Sequence, residues 1–232
     1  MGILIRLILL IVGYCFGLIQ TAFIIGKIKH IDIRNYGSGN SGTTNAMRVM
    51  GKKVGFITYF ADALKATIPL IVFYFLATYV WKFEDSLVMV YMLYLGFGVI
   101  IGHNFPFYMN FKGGKGIAAT SGLMLGLGVI NPLFVIVGLL SFFIPLIITK
   151  YVSLSSICLC IGFLVQVVIY ANIGTIPTEG HVVEIYILSA IIAIVAVLRH
   201  YSNIKRLLSG TERKIGQKKT EESASNNDSY NK

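Results

Sequence analysis

A chain of 232 residues with 56% hydrophobic and only 13% charged side chains is too apolar for a soluble domain, in which about 25% of residues are charged. That length allows one compact membrane domain of several helices and excludes a large soluble domain beside it. The formal net charge of +10 points to anionic headgroups or anionic substrates rather than nucleic acid, because the basic residues lie between apolar runs.

Apolar stretches at 3–26, 54–80, 86–102, 116–130, 132–149, 154–171 and 182–198 are expected to be helical. The expected fold class is all-α, a multi-pass integral membrane protein of about seven transmembrane helices. Within the first run, only Arg6 precedes the uncharged stretch Leu7 to Ile25, Lys27 and Lys29 follow it, and no small-residue cleavage site ends it; it reads as a retained helix, not a signal peptide. Asp62 and Lys65 in the second run are three apart, so they can pair, either structurally or facing the site. The fourth run reaches only about 22 Å at about 1.5 Å per residue. Asn131-Pro132 breaks it from the fifth, so it is a short span or one arm of a hairpin. Cys15, Cys158 and Cys160 lie inside apolar runs and fit neither a zinc pattern nor a complete disulfide framework. Residues 1–210 are read as the membrane-embedded domain and 211–232 as a polar, disordered cytoplasmic tail.

The charges fix an expected orientation. The 27–53 loop, the 103–115 loop, Lys150 and the segment from Arg199 hold 17 of the 20 Lys and Arg residues. Lys82 stands alone on the other side, and Arg6 and Lys65 lie near or inside spans. The positive-inside tendency puts the basic side in the cytoplasm, with the N-terminus outside and the C-terminus inside.

Four constellations then share the cytoplasmic face. Residues 37–48 combine three glycines with the donors Ser38, Thr44 and Asn45 and with Arg48, a bidentate phosphate binder. Residues 102–116 end in Lys112-Gly113-Gly114-Lys115-Gly116 at the start of the fourth helix, a favourable anion site. This is no Walker A motif, since the glycine spacing is wrong and Gly116 stands where Ser or Thr would bind magnesium. Ser153, in the turn after Lys150, could cap a helix or meet a ligand. The segment from Arg199 to Leu207 is expected to prolong the last helix, with His200 and Asn203 on one face. Many donors and few carboxylates suit phosphate-bearing ligands and not a paired-carboxylate hydrolase. Asp32 and Glu212 are the only acidic residues on that face before the polar run that starts at residue 217.

These residues resemble a family. Ser38-Gly39-Asn40 with Gly42, Thr44-Asn45 and Arg48, then Gly102-His103 with Phe105-Pro106 and the run from Phe111 to Gly116, then Arg199-His200 with Asn203-Ile204 and Arg206-Leu207, look like motifs of the acyl-phosphate-dependent glycerol-3-phosphate acyltransferases of the bacterial PlsY type. Ser41 and Thr43 depart from the Pro and Ala usual there. The resemblance implies a seven-helix fold in the bacterial cell membrane. It implies acyl phosphate and glycerol 3-phosphate as small-molecule partners, lysophosphatidic acid and phosphate as products, and the first acylation step of phospholipid synthesis. Carried over onto matching positions, the candidate catalytic residues are Lys115, His200 and Ser153. The candidate substrate-binding residues are Ser38, Thr44, Asn45, Arg48, Gly113, Gly114 and Asn203. Lys115 would stabilise developing negative charge, and His200 would orient a group or act as base. The His-x4-Asp signature of other acyltransferases is absent, because Tyr108, Tyr186 and Lys205 stand five residues after His103, His181 and His200. No cofactor, metal or nucleic acid is expected. A transporter for an anionic metabolite would need polar groups along a path to the far side, where the loops are short and poor in them. A non-catalytic lipid-binding protein would explain the charge but not the placement of glycine and asparagine.

Overall fold

The computed structural model describes residues 2–217, and all regular structure among them is helical. The elements in order are α1 (Gly2–Gly17), α2 (Thr21–Ile28), α3 (Thr43–Met50), α4 (Lys52–Phe75), α5 (Asp85–Asn104), α6 (Ile117–Leu127), α7 (Leu133–Thr149), α8 (Val152–Asn172), α9 (Val182–Arg199) and α10 (Tyr201–Leu208). Five helical stretches are long and apolar enough to cross a membrane: Gly2–Ile28, Lys52–Val80, Asp85–Met109, Val152–Asn172 and Val182–Arg199. The apolar helices α6 and α7 are shorter; the 11 residues of α6 extend only about 17 Å.

α4 shows why this bundle needs lipid. Ala63, Ala66, Leu70 and Phe73 are buried inward, while Leu64, Ile68, Val72 and Phe75 point outward and are about half exposed. Both faces are apolar, so the outer one has no use for water. α5 is the central helix, buried along nearly its whole length. α1 packs on it through glycines. A Cβ at Gly13 would stand 2.1 Å from the Leu95 carbonyl oxygen, and one at Gly102 would stand 2.2 Å from that of Tyr14. Small residues at such seams let backbones approach where lipid offers no hydrophobic drive to associate. At the end far from the site, Arg6 ties α1 to α9 through a two-bond ion pair with Glu184, at 2.5 and 2.7 Å.

Two expected continuous helices are broken. The first apolar run stops at Gly17 and restarts at Thr21. The freed carbonyls are taken from a distance: Lys65 Nζ on α4 lies 2.5 Å from Ile19 O and 3.3 Å from Gly17 O. The same ammonium pairs with Asp62 at 2.9 Å, so the expected intramembrane pair forms and also satisfies the end of another helix. The last helix does not run on through His200. It ends at Arg199, His200 takes a bridge conformation (φ −97°, ψ 7°), and α10 starts at Tyr201. The bend turns both His200 and Asn203 into the protein, where they are buried.

Candidate active site

All four constellations meet in one cleft between the α3, α6, α8 and α10 ends. Its lining includes Ser38, Thr44, Asn45, Arg48, Lys115, Ser153, His200 and Asn203. Asp62, His103, Arg206, Glu212 and Arg213 complete the polar wall. Counted to its open mouth and including solvent space there, the cleft encloses about 900 Å³.

The 37–48 loop is held by its own asparagines. Asn45 Oδ1 accepts from Ser38 N at 2.8 Å, and its Nδ2 donates to Ile33 O and Tyr36 O at 3.1 and 3.0 Å. The amide is therefore committed to the fold of the loop, and Asn45 supports Ser38 instead of offering a free donor. Asn40 Oδ1 accepts from Gly42 N at 3.0 Å just before α3 begins. Ser41 uses the hydroxyl that replaces the usual proline: it donates to Gln20 Oε1 at 3.2 Å. Ser38, Thr44 and Arg48 are left facing the cleft. Burial, then the nearby charges of Arg213 and Arg206, lower the proton affinity of the Arg48 guanidinium, which still stays charged.

The glycine loop before α6 corrects the anion-nest expectation. Gly113 N donates to Asn104 O and Gly114 N to His103 O, both at 3.1 Å, so neither N–H is free for a phosphate. Arg199 grips the other side of the loop, donating to Gly113 O at 3.1 Å and Gly114 O at 2.7 Å while its guanidinium lies over the Phe105 ring. Glycine is required because the loop lies flat on the end of α5. A Cβ at Gly113 would come within 2.1 Å of His103 O, and one at Gly114 within 2.0 Å of His103 Nε2. Gly113 and Gly114 thus set the backbone that leads into Lys115, and Arg199, noted in the sequence as a motif residue without a role, clamps the carbonyls of that loop.

Lys115 lies half-buried at the centre. Its Nζ donates to Asn203 Oδ1, Asn203 Nδ2 donates to Glu212 Oε1 at 2.9 Å, and Arg206 Nε donates to Glu212 Oε2 at 2.7 Å. Burial, reinforced by Arg206, Arg199 and Arg48, lowers Lys115 to about 8. Burial raises Glu212, but its bonds to Asn203 and Arg206 outweigh that and leave it below the usual carboxylate value. Glu212 was expected in a polar tail; instead Ile215 N bonds Lys150 O at 2.8 Å and Glu212 is buried in the site. Residues 218–232 lie outside the described residues.

His200 and Ser153 finish the wall. His200 Nδ1 lies 2.8 Å from Ala196 O. A carbonyl only accepts, so Nδ1 carries the proton and Nε2 is left a bare acceptor. Burial holds the ring down at about 4, with Lys115 and Arg199 adding to it, so it is neutral at physiological pH. Ser153 does not cap α8, since Tyr151 holds that position. Its hydroxyl is buried beside Glu212 without a regular hydrogen bond, an unmet group that a ligand would satisfy.

An apolar groove opens from the cleft between α4, α6, α7 and α8. Met124, Leu139 and Phe143 line it, and Tyr59, Ile117 and Phe142 belong to both groove and cleft. A molecule with an anionic head and a long apolar tail fits that junction.

A family model described as glycerol-3-phosphate acyltransferase matches residues 7–210. The chain belongs to the glycerol-3-phosphate acyltransferase family. The glycerol-3-phosphate acyltransferase of Thermoanaerobacter sp. (strain X514) is 37% identical over 209 residues, 90% of this chain and 94% of that protein. That of Clostridioides difficile (strain 630) is 38% identical over 222 residues, 92% of this chain and 97% of that protein. Among solved structures, the glycerol 3-phosphate form of PlsY (YgiH), an integral membrane glycerol 3-phosphate acyltransferase, aligns with a TM-score of 0.74 at 31% identity, covering 91% of this chain and 96% of that one. Its lysophosphatidic acid form aligns at 0.71 and 32% identity, covering 91% and 95%. The family match spans every helix that lines the cleft, while Glu212 and Arg213 lie just beyond it.

Proposed function

We propose that this protein moves a fatty acyl group from acyl phosphate to the sn-1 hydroxyl of glycerol 3-phosphate in the bacterial cell membrane, releasing lysophosphatidic acid and inorganic phosphate. The observation that carries this reading is the junction of a cationic cleft with an apolar groove at Tyr59, Ile117 and Phe142. The names of the relatives and the ligands named for PlsY support the acceptor. The basic loops gathered at the cleft support a cytoplasmic site, with the N-terminus outside.

The donor is a mixed anhydride and is already activated, so catalysis is mainly orientation and charge stabilisation. The sn-1 oxygen attacks the acyl carbon. The new ester C–O bond forms, the acyl C–O bond to phosphate breaks, and the electron pair leaves on the phosphate oxygen. Lys115, with Arg48 and Ser38 beside it, holds the phosphates and stabilises charge growing on the carbonyl and leaving oxygens. His200 Nε2 accepts the hydrogen bond of the attacking hydroxyl and aims it. A ring held at about 4 is too weak a base to keep the proton, so Nε2 passes it on to the departing phosphate, which carries it away. Ser153 and Asn203 hold the glycerol portion.

The test is donor choice. Purified protein should acylate glycerol 3-phosphate with palmitoyl phosphate and be inert with palmitoyl-CoA. Equal rates with the thioester, or phosphate release without an acylated product, would sink the reading. For sidedness, a Lys53→Cys variant in sealed cells should resist an impermeant thiol reagent that labels Lys82→Cys; the reverse pattern overturns the orientation.

A further inference from the structure

His103 lies beneath the glycine loop, in the same cleft as His200. It is buried yet lines the cleft. Its Nδ1 stands 2.9 Å from Lys65 Nζ, and the Asp62 carboxylate is 4.0 Å away, beyond hydrogen-bond reach. The ammonium of Lys65 has only protons to give, and its other partners are the acceptors Asp62 Oδ1, Gly17 O and Ile19 O. With Lys65 taken as the ammonium partner of the Asp62 carboxylate, Nδ1 accepts from it and the neutral ring carries its proton on Nε2. Gly114 packs against that Nε2 edge: a Cβ there would sit 2.0 Å from the nitrogen, so the loop can lie this close only with glycine. Among the described residues no acceptor bonds Nε2, and the cleft that His103 lines is rich in groups that hold anions.

We propose that His103 is a further substrate-binding residue, a neutral Nε2–H donor to a phosphate oxygen, and that Lys65 is the positioning residue that fixes its tautomer. The proposal rests on the acyl-transfer reading for the identity of the phosphate, which belongs to glycerol 3-phosphate or to acyl phosphate. Asp62 pairs with Lys65 at 2.9 Å between α1 and α4, and Thr21 Oγ1 donates to Asp62 at 3.0 Å. One buried pair thus serves two ends: it closes the break in the first helix and fixes which nitrogen faces the substrate.

Two variants separate binding from structure. In His103→Asn the amide oxygen can still accept from Lys65, but nothing reaches the Nε2 position. In His103→Gln the amide nitrogen can reach it. His103→Asn should raise KM for one phosphate substrate about tenfold or more, the worth of a hydrogen bond to a charged group, with kcat less affected. His103→Gln should stay within about threefold of the parent. Measuring KM for glycerol 3-phosphate and for palmitoyl phosphate separately shows which phosphate is read. Equal losses in both variants, or no KM change in His103→Asn, would overturn the proposal.

Nitrogen NMR of the parent protein with labelled histidine does not depend on the variants folding or on turnover. The His103 signal should report protonated Nε2 and move on titration with inorganic phosphate, while the His200 signal reports protonated Nδ1. A His103 proton on Nδ1, or no response to phosphate, refutes the donor role. Absent turnover in a sample that passes this test would instead refute the acyl-transfer reading.

Discussion

His103 and His200 sit in the walls of one cleft, and their neighbours set their protons in opposite ways. Beside His103, an ammonium that can only donate puts the proton on Nε2. Beside His200, a carbonyl that can only accept draws the proton onto Nδ1 and leaves Nε2 bare. In the proposed reading the same ring is a donor for an anion at one position and an acceptor for a hydroxyl at the other. Two substrates that differ in this respect, a phosphate and an alcohol, can be told apart without any change of charge in the site. The supports differ as well. His103 depends on an ion pair sealed within the bundle, whereas His200 depends on a helix bend beside the Glu212 segment.

The comparison can be broken at several places. Lys115 lines the same cleft, and Lys115→Ala should lower kcat/KM by about 10²–10³, the usual loss on removing a positioned charge stabiliser. Steady-state kinetics on detergent-purified protein would read it, with unchanged circular dichroism showing an intact fold. His200→Ala should cost about 10² in kcat, with less effect on KM for palmitoyl phosphate. A loss confined to donor KM would move His200 out of the hydroxyl-orienting role. Gly114→Ala puts a methyl against His103 Nε2 and displaces the loop that aims Lys115. A shift approaching 1 Å there can cost up to about 10²-fold, so a rise in KM of at least about tenfold is expected. A parent-like KM would mean that the loop does not cover the histidine as described.

The gentlest probe is pH. Lys115 is lowered to about 8, so its charged form is complete below that value and fades as pH rises through it. His200 is neutral at all pH values well above about 4. Log kcat/KM should therefore fall above about pH 8, by about one unit per pH unit, and show no histidine limb near 6.5. Lys115→Arg should move the alkaline limb out of the measurable range, since a guanidinium stays charged.

Much of this was legible in the sequence, for reasons that also show where legibility ended. Apolar runs and loop charges were enough to place the helices and to gather Ser38, Arg48, Lys115, Ser153, His200 and Asn203 on one face. The break at Leu18–Gln20 was not legible, because its cause is Lys65, dozens of residues further on. A glycine loop entering a helix carries the local signature of an anion nest. Only packing reveals that the Gly113 and Gly114 N–H groups are spent on the end of α5 and that Arg199 clamps their carbonyls. Glu212 was hidden by its company in a polar segment. Its one signal was being a lone carboxylate among cations on a basic face.

The measurement that bears most directly on the site is a paired assay of the parent protein and Lys115→Ala with palmitoyl phosphate and glycerol 3-phosphate, following lysophosphatidic acid and phosphate together. The parent should release the two products one for one, and the folded variant should be slower by about 10² or more. A folded parent that makes no lysophosphatidic acid, or a variant that matches the parent rate, would contradict it.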